Sequence, residues 1–359
     1  MTLELLGQRL HNQLLSQTKF TQPSQVVAWL GAVQSQDYAG ARWAVAQRTK
    51  GLTDAAIEQA FAEGEILRTH VLRPTWHFVT PLDIRWMLGL TAPRVRAAME
   101  YMNRQLGLDK AIFKKSNTVL TTVLRGNKQL TRPELGQILL KSGVPTDGLR
   151  LGHLMARAEL DEIICSGARR GKQHTYALLE ERAPQSKTLE REEALAELTK
   201  RYFTSHGPAT LADFVWWSGL TISDARKGIE SVKSQFDQEV IGNQTYWFMA
   251  SRLTMKSSPT VNLLPDYDEY TVGYTDRTAI FDVSHTNKLD ARRSILAQYA
   301  IMIDGQAAGT WNRTIKKNEV VIELVPFTML TEDQNRAIIM ATQQYGNFLR
   351  LPVVLANTV

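Results

Sequence analysis

In the run LGAVQSQDYAG, residues Gln34, Gln36 and Asp37 sit beside a helix end. Two glutamines two residues apart project in a similar direction only where the chain is extended, and there both amides could hold one water. Glutamine is not a proton acceptor of any strength. Such a pair suits a reaction whose leaving group departs easily and whose main need is a positioned water. The plainer reading has the pair capping a helix C-terminus or facing solvent, and residue type alone leaves both open. His77 is the next candidate. If RPTWHFV is a strand, Arg73, Thr75 and His77 share one face and Trp76 and Phe78 the other, and the aromatic face should be the core side. A histidine there could read a phosphate or a base, or satisfy a buried carbonyl. The run Asp266-Tyr267-Asp268-Glu269 looks like a carboxylate site, but Pro265 and Gly273 flank it and Arg277 is near enough in sequence to neutralise part of it, so it reads as a structural loop. Of the neighbours Trp216 and Trp217, one should be core and the other partly exposed, which leaves base stacking open.

Counting narrows the chemistry. Cys165 is the single cysteine, which excludes an intrachain disulfide, a four-thiolate zinc site and a four-cysteine cluster; beside Ile163 and Ile164 it reads as core packing. The seven histidines (11, 70, 77, 153, 174, 206, 285) show no metal-ligand spacing, so no metal site is expected. No G-x-G-x-x-G or phosphate-binding loop occurs, since GARRGK has one residue too few between its glycines, and no cofactor is expected. The chain has 359 residues, 43% apolar and 22% charged, which fits two or three folded domains. No apolar stretch reaches the ~18 residues of a membrane span and MTLELLGQRL lacks signal-peptide features, so a cytosolic protein without membrane contact is expected. The net charge of +6 is uneven: residues 1–109 carry +2, residues 110–179 carry +7 and residues 180–359 carry −3. A basic excess confined to one segment is the pattern of a nucleic-acid contact.

The elements that would position these residues follow from capping and turn signals. In LTRPELGQILLKSG, Thr131 and Glu134 form a capping box with Pro133 in the first turn, and Gly143 ends the helix. A second helix starts near Leu149 and runs to Leu160; EIIC and TYALL then read as a hairpin around SGARRGKQH. This is winged-helix order, with Arg169, Arg170 and Lys172 as a basic wing placed to touch phosphates. The grammar recurs at Thr210 with Asp213, Gly219, Thr221 with Asp224, and the strands FDQEV and TYWFM, where the wing is not basic. A looser copy spans SQVVAWLGAV, ARWAVAQRT stopped at Gly51, a helix capped by Thr53, and the strands ILRTHVL and RPTWHFV. AIMI, AAGTWNR and EVVIELV read as a small antiparallel sheet, and Thr331 with Gln334 caps a last helix before LPVVL. The expected fold is α+β: three tandem winged-helix units over residues 1–109, 110–185 and 186–257, then a small β-rich domain over 258–359, with the break at Ser257, Ser258 and Pro259.

LGAVQSQDYAGARWAVAQRT, LRTHVLRPTWHFVTPLDIRWML, LLPDYDEYTVGYTDR and DGQAAGTWNRTIKKNEVVIELVPF together resemble the bacterial winged-helix DNA-binding family of the azinomycin-resistance (AlkZ-like) DNA glycosylases, over residues 3 to 350. The resemblance implies a concave DNA-binding surface and a catalytic Gln-x-Gln or Gln-x-Asp motif, here Gln34-Ser35-Gln36, with serine where an apolar residue is common. It implies hydrolysis of the N-glycosidic bond of N7-alkylated purines in damaged double-stranded DNA, interstrand crosslinks included, by a monomer at the nucleoid. A purine alkylated at N7 is cationic and leaves without a strong general acid, which agrees with a water-positioning amide pair. No lysine or N-terminal proline stands in the motif, so no Schiff-base lyase step is expected. The competing reading is a non-enzymatic DNA-binding regulator, for which the Leu149 to Leu160 helix offers His153 and Arg157 for direct readout. An interaction scaffold with vestigial wings is a third.

Overall fold

The computed structural model describes residues 2–249, 258–282, 284 and 299–356; Ser257 and His285 lie outside the described residues. After α1 (Thr2–Asn12) the chain runs through α2 (Pro23–Leu30), β1 (Val33–Gln34), α3 (Tyr38–Gln47), α4 (Asp54–Glu63), β2 (Leu67–His70) and β3 (Trp76–Val79). β3 lies between β1 and β2 in a three-stranded antiparallel sheet. The long helix α5 (Ile84–Gln105) leads to α6 (Lys110–Leu124), β4 (Leu130–Thr131), α7 (Arg132–Lys141), α8 (Arg150–Leu160), β5 (Ile164–Ser166) and β6 (Thr175–Leu178). The single turn α9 (Leu179–Arg182) precedes α10 (Arg191–His206), β7 (Ala209–Thr210), α11 (Leu211–Ser218), α12 (Ile222–Val232), β8 (Asp237–Ile241) and β9 (Gln244–Phe248). The order helix, short strand, two helices and hairpin thus occurs three times, each time with the last strand in the middle of its sheet.

The last part holds β10 (Val261–Leu264), α13 (Glu269–Val272), β11 (Ala300–Ile303), β12 (Gln306–Ile315), β13 (Val320–Pro326), α14 (Glu332–Leu349) and β14 (Val353–Leu355). Its strands form one sheet in the order β10-β11-β12-β13-β14. AIMI, AAGTWNR and EVVIELV pair antiparallel as expected, and β10 and β14 extend the sheet at its two edges. β14 pairs parallel to β13, because α14 carries the chain back before it re-enters the sheet, the crossover that parallel neighbours require. The architecture is mixed α+β, and no described helix is long and apolar enough to cross a membrane.

Helix starts follow local chemistry. At Thr131, the Glu134 N–H donates to Thr131 Oγ1 and the Thr131 N–H donates to Glu134 Oε2; Thr210 with Asp213 and Thr331 with Gln334 repeat this box. Thr53 and Thr221 cap α4 and α12 with their hydroxyls. Each bond satisfies an N–H that the first helical turn leaves unpaired.

The core falls into three clusters. Leu120, Leu135, Leu154 and Ile164 belong to a core confined to the second repeat. A second core joins Val26, Leu30 and Phe78 of the first repeat to Ile301, Trp311 and Tyr345 of the C-terminal part, and the third gathers α5, α10 and α11 with Tyr270 and Tyr274. Cys165 is fully buried, and burial pushes its thiol up to about 12, so it packs as a small apolar group. Trp217 is fully buried, whereas its neighbour Trp216 is 40% exposed.

Candidate active site

Gln34 closes the edge strand β1, opposite His77 of β3. An edge strand turns part of its backbone away from the sheet, and those groups need other partners. The Gln34 N–H finds one in Glu269 Oε1 at 2.7 Å. The Gln34 side chain is 7% exposed, and its Oε1 accepts from Arg73 Nη2 at 2.9 Å. Both ends of the residue are therefore held, which fixes its amide. Gln36, two residues on, is exposed. Neither glutamine caps a helix: the Gly31 N–H closes α2, and Asp37 opens α3, with Oδ1 accepting from the Ala39 N–H at 3.1 Å and Oδ2 from the Tyr299 hydroxyl at 2.7 Å. Between the glutamines, Ser35 points inward with a buried hydroxyl that has no partner among the described residues, while its carbonyl accepts from Arg68.

The faces of β3 differ from expectation. Phe78 is in the core, but Trp76 is only half-buried, its ring tilted against His70 with centroids 4.4 Å apart, whereas His77 is wholly buried. The aromatic face is not the one core side, because residues from the C-terminal part cover the histidine face as well. His77 Nδ1 lies 3.0 Å from the Thr75 carbonyl, which can only accept, so Nδ1 carries the hydrogen and the buried Nε2 is a lone pair without a partner. Burial, reinforced by the positive charge of Arg73, lowers the His77 pKa to about 3, and the ring is neutral near pH 7.

The acidic run is more than the loop expected, and Arg277 does not neutralise it. Asp268 instead receives Arg48 in a two-pronged buried ion pair, Nη1 to Oδ2 at 2.9 Å and Nη2 to Oδ1 at 2.7 Å. Arg277 donates to the carbonyls of Thr271 and Thr275. Asp268 also caps α13. The clamp sets the next residue, Glu269, in the interior, where Oε1 holds the Gln34 N–H, Oε2 accepts from Trp217 Nε1 at 2.8 Å, and His206 Nε2 stands 3.5 Å away. Burial alone would raise the Glu269 pKa, but His206, His77 and the Gln34 N–H together outweigh it and hold the carboxyl below its usual range. Glu269 and Arg48 are the principal residues that sequence reasoning missed. One signal was available: a carboxylate run and an arginine each set in strongly apolar stretches, LLPDYDEYTV and ARWAVAQR, is the composition of a buried pair.

The structure brings Gln34, Arg73 and His77 together, with Gln36 and Asp37 following Gln34 in the chain, and leaves the candidates of the second repeat apart from them. Arg169 pairs with Glu58 of α4 at 3.1 Å and lies over the Tyr38 ring; Arg170 pairs with Glu134 at 2.8 Å; Lys172 is exposed at the turn. On α8, His153 Nδ1 meets Asn103 Oδ1 at 2.7 Å, and Arg157 donates to Asp161 over the Phe113 ring. Arg157 also lines an open cleft of about 640 Å³ along α6 with Lys110, Lys114 and Arg125. Among the described residues no group of three metal-ligating side chains converges.

Residues 27–348 match the family described as DNA glycosylase AlkZ-like. The interstrand DNA cross-link repair glycosylase of Streptomyces sahachiroi is 24% identical over 339 residues, which span 90% of this chain and 91% of that protein. The solved structure of the Streptomyces sahachiroi DNA glycosylase AlkZ has the same fold, with a TM-score of 0.79 at 21% identity over 99% of each chain. The chain belongs to the AlkZ-like family of DNA glycosylases, enzymes that hydrolyse N-glycosyl bonds.

Proposed function

We propose that this glycosylase releases N7-alkylated purines from duplex DNA, crosslinked adducts included, with Gln34 and Gln36 placing the attacking water. The carrying observation is the double anchorage of Gln34: its carbonyl is fixed by Arg73 and its backbone by Glu269, so a neutral amide stands ready without reorganisation. The C1′–N9 bond of a cationic base breaks early towards an oxocarbenium-like state. The protein then has only to hold the sugar and present water to C1′, a task that amides perform without a strong base. His77 is sealed from substrate and Asp37 is committed to its cap and to Tyr299, which leaves the glutamines as the better pair.

Each of the three repeats has the order of a winged-helix unit, and we assign them to residues 1–109, 110–185 and 186–257, ahead of a β-rich domain over 258–359. The α6 cleft, with four cations to the single carboxylate Asp161, supports contact with the phosphates of a duplex. We take the enzyme to act as a monomer on chromosomal DNA in the cytoplasm. The regulator reading draws no support from α8, whose His153 and Arg157 are engaged within the chain. The test is release of 7-methylguanine from N7-methylated duplex DNA. Gln34→Ala and Gln36→Ala should each slow it by roughly 10²-fold with DNA affinity little changed, and the double variant should lose far less than the product. A parent chain that releases no alkylated base overturns the proposal.

A further inference from the structure

Beside Gln34, two guanidinium groups share one indole. The Cζ atoms of Arg73 and Arg277 lie 5.6 Å and 5.3 Å from the ring centre of Trp216, whose Nε1 donates to the Val272 carbonyl at 2.9 Å and so fixes the ring plane. Cations over an indole face are attracted to it, but two cations sharing one ring repel each other. Among the described residues neither arginine is in an ion pair. Arg73 donates to Gln34 Oε1 through Nη2, and Arg277 donates to the carbonyls of Thr271 and Thr275 through Nε and Nη1. Each keeps one buried N–H without an acceptor, Nε of Arg73 and Nη2 of Arg277. Burial lowers the pKa of both, and the charge of Arg73 adds to the lowering at Arg277. A guanidinium does not shed its proton in a protein; Glu269 offsets part of the cost at Arg73, and Asp213 and Asp276 part of it at Arg277, but none of these carboxylates bonds to either guanidinium, and the unpaired donors remain among the described residues.

The backbone is built to aim Arg73 there. Leu72 has φ 63°, and the Arg73 N–H donates back to the Val71 carbonyl at 2.7 Å, a tight turn with its middle residue in the left-handed region. Gly219, at the end of α11, has φ 68° and packs on this turn so closely that a Cβ would stand 2.3 Å from the Leu72 carbonyl oxygen. Only glycine allows α11, which carries Trp216, to approach the arginine in this way.

We propose that Arg73, Trp216 and Arg277 form a receptor for one phosphodiester of the cleaved DNA strand, and that it sets which nucleotide stands over Gln34. The inference rests on Gln34 being the catalytic residue. The two guanidinium forks suit the two non-bridging oxygens of a phosphodiester, to which a small turn of each side chain would bring its buried unpaired donor, and Trp216 closes the receptor with an apolar wall. Arg73 is the positioning residue of the group: it can donate to the phosphate through Nη1, which makes no bond among the described residues, while Nη2 stays on Gln34. Strand register and amide orientation are then set by one side chain.

The test is binding of the full chain to a duplex that carries a tetrahydrofuran abasic-site mimic, with each phosphate near the mimic replaced in turn by an uncharged methylphosphonate. At one linkage the parent should lose roughly 10- to 100-fold in affinity. Arg277→Ala should already have lost that factor, so the same replacement should cost it less than about twofold. Arg277→Lys should fall between, since it keeps the charge without the fork. The methylphosphonate scan needs no altered protein, so poor folding of a variant does not remove the test. A loss spread evenly over the linkages overturns the receptor, as does a linkage-specific loss that persists undiminished in both variants. Absence of base release together with a linkage-specific binding loss would instead count against the substrate reading and leave the receptor standing.

Discussion

The backbone N–H of Gln34 and the carboxylate of Glu269, 235 residues apart in the chain, meet at 2.7 Å in the interior. The bond ties the strand that presents the Gln34 amide to a segment whose own position is set by the Arg48–Asp268 pair.

Glu269→Ala would strip acceptors from the Gln34 N–H and Trp217 Nε1 and leave His206 without its carboxylate. Unfolding in urea should show a loss of about 3 kcal/mol. Glu269→Gln, which supplies one oxygen for two donors, should lose about 1–2 kcal/mol and slow base release at least tenfold while DNA affinity stays close to the parent.

His77 makes stability fall on the acid side of neutrality. Its folded pKa is about 3 against an ordinary 6.5, so below 6.5 the unfolded chain binds a proton that the folded chain refuses, and stability rises with pH across that window. At about 1.4 kcal/mol per pH unit, the parent should lose about 2 kcal/mol between pH 6.5 and 5, and His77→Gln should flatten this slope in urea titrations. Glu269 acts lower on the scale: its lowered carboxyl stabilises the fold above the ordinary carboxylate range, and that contribution is lost only as pH falls through the lowered value.

Ser35, between the glutamines, buries a hydroxyl that has no hydrogen-bond partner among the described residues. Removing an unpaired buried polar atom without changing the backbone removes its desolvation cost. Ser35→Ala should raise the unfolding free energy by up to about 1 kcal/mol, read as a higher Tm; a lower Tm would mean the hydroxyl has a partner in solution, such as a water.

At the hairpin tip of the second repeat, Lys172 is exposed while Arg169 is engaged with Glu58 and Tyr38. Lys172→Ala should reduce the slope of log affinity against log salt by up to ~0.9, the share of one phosphate contact. Arg169→Ala should leave that slope alone and lower the unfolding midpoint instead, because its bonds run to the first repeat.

What was legible in the sequence is what residues three or four apart decide between themselves. The boxes at Thr131, Thr210 and Thr331, the caps at Thr53 and Thr221, and the turn glycines 143 and 219 needed no knowledge of tertiary partners. Arg73, Thr75 and His77 could be named together from the alternation of one run, although Arg73 and Thr75 lie in the turn before β3; that Gln34 stands opposite His77 follows only from the pairing of β1 with β3. Arg48 with Asp268 and Gln34 with Glu269 could not be named together, since period and propensity carry no information about which distant segments meet. The burial of His77 failed for the same reason: alternation predicts one wet face, and a remote segment had made it dry.

Ribosomal synthesis delivers Gln34, Gln36 and Asp37 long before it delivers Glu269 and Tyr299, on which their anchorage depends. A nascent chain that has already made all three repeats still lacks the clamp on β1, the Asp268 partner of Arg48, and the strands that complete the core of Val26, Leu30 and Phe78. The anchorage of Gln34 and Asp37 therefore arrives late in translation. A prematurely terminated product would keep the second repeat, whose core is its own, and lack the partners that hold Gln34 and Asp37.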